Sequence, residues 1–126
     1  MLVITRFTVP EADGGAFRSQ AADALAALAE RPGFRRGRVG RAADDAGAWV
    51  LVTEWDGVGA WRRALGGYDV KLRASPLLAR SHDEPTTYED IVLVDGTGTT
   101  TAESDRAPDA DSVSVGRAAG PRQDDR

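Results

Sequence analysis

The chain has no cysteine, which removes disulfides, thiolate nucleophiles and cysteine-bound metals at once. It has a single histidine, His82. The adjacent Asp83 and Glu84 do not give it the spaced ligand set a metal needs, so no metal site is expected. No apolar run approaches the roughly 20 residues of a membrane span, and the start, MLVITRFTVP, lacks the basic region of a secretory signal. A cytoplasmic location is the expectation. An excess of basic charge is also lacking: 16 Lys and Arg stand against 20 Asp and Glu, a formal net charge of −4. The one locally basic stretch, RRGRVGR (35–41), has no interleaved aromatic, and strand alternation spreads its arginines over both faces. Nucleic acid and membrane are therefore not expected partners. The glycines form no phosphate loop, since GVGAW (57–61) lacks the third glycine of a nucleotide-binding turn.

What remains suits one domain with a modest core in a chain of 126 residues. LVITRFTV (2–9) is β-branched and apolar and stops at Pro10, so it reads as a strand. From Ala16 to Glu30 the stripe Phe17, Ala21, Ala24, Leu25, Leu28 keeps helical spacing, with Asp13 as a candidate cap and Pro32-Gly33 as the stop. FRRGRVGRA (34–42) reads as a second strand, DDAG (44–47) as a hairpin turn, and AWVLVTEW (48–55) as a third strand. A short helix follows over 58–65 and ends at Gly66-Gly67. A further helical segment over 68–75 breaks at Pro76. PTTYEDIVLV (85–94) reads as the last strand.

Residues 95–126 contain no aromatic, leucine or isoleucine, and carry 7 acidic against 4 basic side chains. Such a segment cannot bury enough apolar surface to offset an ordering cost of roughly 1–2 kcal/mol per residue. The expectation is a structured domain at 1–94 and a disordered acidic tail at 95–126.

The order β-α-β-β-α-β predicts an α+β fold, the ferredoxin-like four-stranded antiparallel sheet with helices on one face. Both sheet faces carry apolar residues: Leu2 and Ile4 against Val3, Phe7 and Val9, and Val50 and Val52 against Trp49, Leu51 and Trp55. Helices cover only one face. A second copy in a symmetric homodimer is the economical cover for the other, with Trp49 placed at its seam.

Three stretches carry a resemblance. Pro32-Gly33-Phe34 stands between the first helix and second strand, VTEWDGVGAW (52–61) leads from strand to helix, and EPTTYEDIV (84–92) closes the domain. Over about residues 1–93 the chain resembles the antibiotic biosynthesis monooxygenase family, whose members are dimeric α+β barrels. The resemblance implies a cofactor-free oxygenase, in which a phenolic substrate loses a proton and itself reduces dioxygen. It further implies a pocket between sheet and helices. Haem degradation, the family's other chemistry, is not implied: Thr5, Ala64 and Ala74 stand where the haem-degrading relatives carry an asparagine, a tryptophan and a histidine.

The residues that such a pocket would use can be named. Trp61, Trp55, Phe7 and Thr5 are candidate substrate contacts. His82, the only side chain with an unperturbed pKa near neutrality, is the candidate base, against the plainer reading of a solvated loop histidine. Tyr68, just after Gly66-Gly67, could hydrogen-bond a phenolate or simply pack at the core edge. Two functions fit: a cofactor-independent monooxygenase acting on a phenolic or polycyclic aromatic small molecule, or a non-catalytic dimeric barrel that binds a small hydrophobic ligand. A convergent set of polar groups in the pocket separates them.

Overall fold

A computed structural model describes residues 1–102. Four strands form one antiparallel sheet in the order β2-β3-β1-β4: β1 is Leu2–Thr8, β2 Phe34–Ala42, β3 Asp45–Trp55 and β4 Thr87–Tyr88. Helix α1, Gly14–Ala29, links β1 to β2; α2 (Val58–Leu65), α3 (Tyr68–Arg73) and α4 (Ser75–Leu78) link β3 to β4. This is the ferredoxin-like arrangement that the sequence predicts, with the second helical arm divided in three.

Strand parity places the core. Val3, Thr5, Phe7 and Val9 of the first strand and its end point to the helices and are buried, as are Trp49, Leu51, Thr53 and Trp55 of β3. Pairing in register, Val3 with Thr53 and Phe7 with Trp49, stacks these residues into one layer. Phe17, Ala21, Ala24, Ala27 and Leu28 of α1 close on it. Asp13 is the N-cap residue of α1, yet its side chain makes no capping hydrogen bond.

The Pro32-Gly33-Phe34 turn shows why a glycine is needed at its centre. Gly33 has φ +89°, and a Cβ there would stand 2.5 Å from the Ala60 Cβ. Its carbonyl accepts from the Asp56 N–H at 2.8 Å, and the Phe34 ring meets Trp55 edge-on at 5.3 Å. The turn thus ties the start of β2 to the end of β3. Gly33→Ala is expected to cost about 1–3 kcal/mol in a urea melt, from the clash together with the left-handed backbone. A melt superimposable on the parent's would contradict this.

Several boundaries differ from the sequence reading. The β2–β3 turn is the two residues Ala43-Asp44 in place of the expected four at 44–47, because β3 begins at Asp45, three residues earlier than expected. Pro76 sits in the first turn of α4, where its missing N–H costs no helical bond, so the chain re-enters a helix instead of ending one. The expected last strand, 85–94, contributes only Thr87–Tyr88 to the sheet. Val92–Asp95 (β5) turns back on Gly98–Thr101 (β6) as a separate hairpin. Residues 98–101, assigned to the tail from composition, are therefore paired, with the Asp95 carboxylate accepting from the Thr97 N–H at 2.7 Å. The rest of the predicted disordered tail, 103–126, lies outside the described residues.

Candidate functional site

Helix α1 does not lie evenly on the sheet. At Gly37 a Cβ would stand 2.6 Å from the Leu25 Cδ1 and 3.1 Å from the Thr53 Cγ2, so here the missing side chain lets α1 seat closely on β2. Towards its N-terminus the helix presents Gly14, Gly15 and Ala22, which are too small to fill the space above Val39 and Trp49. The result is a cavity of about 460 Å³ between α1 and the β2–β3 end of the sheet, lined by these residues and by Arg18 and Arg41. Its volume suits a small organic ligand of several rings.

Trp49 is the floor. It is 8% exposed, and its ring packs on Phe17 at 5.2 Å, which in turn packs on Phe7 at 5.0 Å. This places Trp49 inside the helix-side layer, not at the predicted dimer seam. The parity of β3 explains it, since residue 49 points the same way as 51, 53 and 55. The Trp49 Nε1–H has no acceptor, and the neighbouring Cζ2 lies 3.7 Å from where a Gly14 Cβ would sit. The Arg41 guanidinium stands over the indole at 5.4 Å from its centroid.

Charge completes the description. Arg18 and Arg41 are the only charged residues in the lining, and the lining holds no carboxylate and no histidine. A second groove of about 330 Å³, between α1 and the α3–α4 arm, offers a contrast. There Arg73 is bonded to Asp23 at 2.9 Å and Arg80 to Gln20 at 2.9 Å, and the Arg73 hydrogen bond holds the Asp23 carboxyl below its usual range. Its cations are already satisfied. Among the described residues no group of His, Asp and Glu side chains could hold a metal ion, and no helix is long and apolar enough to cross a membrane.

The six residues singled out from the sequence are not brought together at this cavity. Trp55 and Trp61 are 0% and 1% exposed and lie ring to ring at 5.4 Å in the core. Trp55 donates Nε1–H to the Thr53 hydroxyl at 2.8 Å, whereas the Trp61 Nε1–H has no acceptor. Thr5 is buried and donates to the Leu51 carbonyl at 3.3 Å. Phe7 backs the cavity from behind Phe17 without lining it. Tyr68 is 75% exposed on α3. His82 is exposed, with Nε2 2.8 Å from the Thr8 Oγ1. Neither Tyr68 nor His82 lines the cavity. The residues that do line it include Trp49 and Arg41, each visible in the sequence by its strand parity.

The chain is thus a ferredoxin-like α+β domain with an apolar, arginine-flanked cavity between its first helix and its sheet. The chain belongs to the antibiotic biosynthesis monooxygenase family, whose model matches residues 1–71. Among solved structures it is similar to a mutant of SnoaB, a cofactor-independent oxygenase from Streptomyces nogalater. That similarity is 32% in identity, with a TM-score of 0.57, and covers 64% of this chain and 82% of that one. A second SnoaB structure matches at 27% identity and a TM-score of 0.51, covering 71% and 94%. Rv0793 from Mycobacterium tuberculosis shares the fold at 19% identity and a TM-score of 0.54, covering 84% and 96%. No curated protein matches the sequence.

Proposed function

We propose that this protein is a cofactor-independent monooxygenase that oxidises a phenolic, polycyclic aromatic small molecule in the α1–β2–β3 cavity. The observation that carries the reading is the lining itself: an indole floor, small apolar walls, two arginines and no acid. The similarity to SnoaB supports it. A planar phenol or anthrone placed on Trp49 meets positive charge that stabilises its anion and lowers its pKa, so proton loss to solvent becomes feasible without a lining base. The carbanion form passes one electron to dioxygen, and recombination of the radical pair gives a peroxide. Loss of water from that peroxide turns the ring CH₂ into a carbonyl. One oxygen atom ends in the product and the other in water. The small apolar walls hold the ring against the indole, while the exposed Arg18 and Arg41 leave a path for the proton to solvent.

The test is oxygen uptake with a panel of anthrones and naphthols, with chelator present and no flavin added. Uptake that stops under nitrogen and matches product formed is the expected result. The lack of any acid or base in the lining favours one other reading, a binding protein without turnover. Ligand-dependent quenching of tryptophan fluorescence with no uptake across the panel would favour that one.

The same reading includes a homodimer. On the sheet face away from the helices, Leu2, Ile4, Val50 and Val52 are only half-buried, ringed by the ion pairs Arg6–Glu84 and Arg36–Glu54. Ile91, just before β5, and Val92, Leu93 and Val94 within it are further exposed apolar residues. A second copy covers such a face with like chemistry, and the resemblance to dimeric barrels points the same way. Light scattering at micromolar concentration is expected to give twice the 13.4 kDa of one chain. A monomer mass would count against it.

A further inference from the structure

We infer that the acidic segment 103–111 of this chain docks on the outer face of the α2–α3 arm, where Arg31, Arg63 and Lys71 receive its carboxylates. This contact does not depend on what the cavity binds.

The net charge conceals how the charges are divided. Residues 57–81, the helical arm, carry five basic side chains, Arg62, Arg63, Lys71, Arg73 and Arg80, against one acid, Asp69. Residues 82–111 carry nine acids and a single arginine. Four of those acids, Glu103, Asp105, Asp109 and Asp111, stand within nine residues. Two of the arm's cations are held internally, Arg73 by Asp23 and Arg80 by Gln20. Arg63 and Lys71 are exposed and, like Arg31 at the end of α1, have no ion pair among the described residues.

These three cations flank the Gly66-Gly67 link between α2 and α3. A Cβ at Gly67 would stand 3.1 Å from the Arg31 Nε, which is buried and has no acceptor. Arg63 lies in the last turn of α2, and its carbonyl accepts from the Gly66 N–H at 3.1 Å. Lys71 follows one turn after Gly67, whose carbonyl accepts its N–H at 2.9 Å. Other open cations lie elsewhere. Arg38 pairs in register with Val52 on the sheet face away from the helices, and Arg41 pairs with Trp49 at the opposite end of β3.

The acidic segment also sets out from the right place. The Ala102 N–H donates to the Ile91 carbonyl at 3.0 Å, so the chain leaves its hairpin beside Asp90. Asp90 holds the Met1 ammonium at 2.7 Å, and that ammonium donates to the Trp55 carbonyl at 3.3 Å. Trp55 stands two residues before Gly57, the N-cap residue of α2. Nine extended residues span roughly 30 Å. The eight residues of α2 and six of α3 together rise only about 21 Å, so Lys71 is within reach. An exposed ion pair contributes little by itself, but the tether sets an effective concentration on the order of millimolar and several pairs act together. Ion pairing needs no apolar burial, so a composition too polar for a core does not oppose it.

Lys71 is the chain's single lysine, so a carbodiimide cross-link to a lysine can form only there. The full chain would be treated with a water-soluble carbodiimide at low micromolar concentration, digested and weighed by mass spectrometry. Lys71 is expected to be joined to a carboxylate of 103–111 in the same chain. The link should disappear in about 0.5 M salt. It should also disappear when Glu103→Gln, Asp105→Asn, Asp109→Asn and Asp111→Asn are combined. That variant should exchange the amide hydrogens of 58–73 a few-fold faster, with an unchanged circular dichroism spectrum. Lys71 left unmodified, or joined only to acids of residues 1–102, would overturn the inference. So would links between isotope-labelled and unlabelled chains, which would make a second copy the occupant, or exchange over 58–73 that ignores the four substitutions.

Discussion

Replacing Trp55 by alanine is expected to destabilise the domain by about 3–5 kcal/mol, the range for deleting a large buried ring. The residue is fully buried, and it does three things at once. It caps the end of β3, it receives the Phe34 ring edge-on at 5.3 Å, and it backs Trp61 at 5.4 Å. Its loss leaves a void where the Pro32-Gly33-Phe34 turn, β3 and α2 converge, and none of the three can collapse without moving the others. The phenylalanine pair sharpens the point. Trp55→Phe deprives the Thr53 hydroxyl of its donor, while Trp61→Phe removes an N–H that has no acceptor. Trp61→Phe should therefore be the milder of the two in a denaturant melt. Equal costs would mean that the Trp55–Thr53 bond contributes nothing.

The second large effect concerns activity. Gly14→Phe is expected to lower kcat/KM for any aromatic substrate by about a hundredfold or more, with the melting temperature held or raised. A Cβ at this position would touch the Trp49 Cζ2 at 3.7 Å, at the wall of the cavity that Gly14 lines, so a larger side chain there extends into the cavity beside the indole. A benzyl group there takes the ligand's place on the indole. Because the backbone is already helical, leaving glycine also removes an entropic penalty. Full activity in this variant would place the chemistry elsewhere, with the buried Trp55–Trp61 pair the next place to look.

How much of this was legible in the sequence depends on the range of the interaction concerned. Helix α2 reads directly, because local periodicity and flanking glycines define it; strand β2 forms at the expected bounds although its internal Gly37 and Gly40 and its arginines argue against a strand. The two-faced apolarity of β1 and β3 also read correctly, since alternation is a property of the strand alone. The hairpin at 92–101 did not. Its strands are short and its partner segment, GTTT, has a composition that suits a tail as well as an edge strand. The cavity was the least visible feature. It depends on where α1 touches the sheet closely, at Leu25 and Gly37, and on where three small residues leave room, and neither follows from one element by itself. Trp55 and Trp61 stand out in the sequence as rings yet pack in the core, whereas parity puts Trp49 on the helix-side face of β3, where its neighbour is Phe17. His82 and Tyr68 have suitable side-chain chemistry, but neither lines the cavity.

The most direct test of the account is the fate of oxygen. The protein, stripped of metal by chelation and free of flavin, would be given an anthrone under dioxygen labelled with a heavy isotope, and the quinone product weighed by mass spectrometry. The account predicts one labelled atom per product, absent from the enzyme-free blank and sharply reduced in Gly14→Phe. An unlabelled product, or labelling no faster than in the blank, would contradict it.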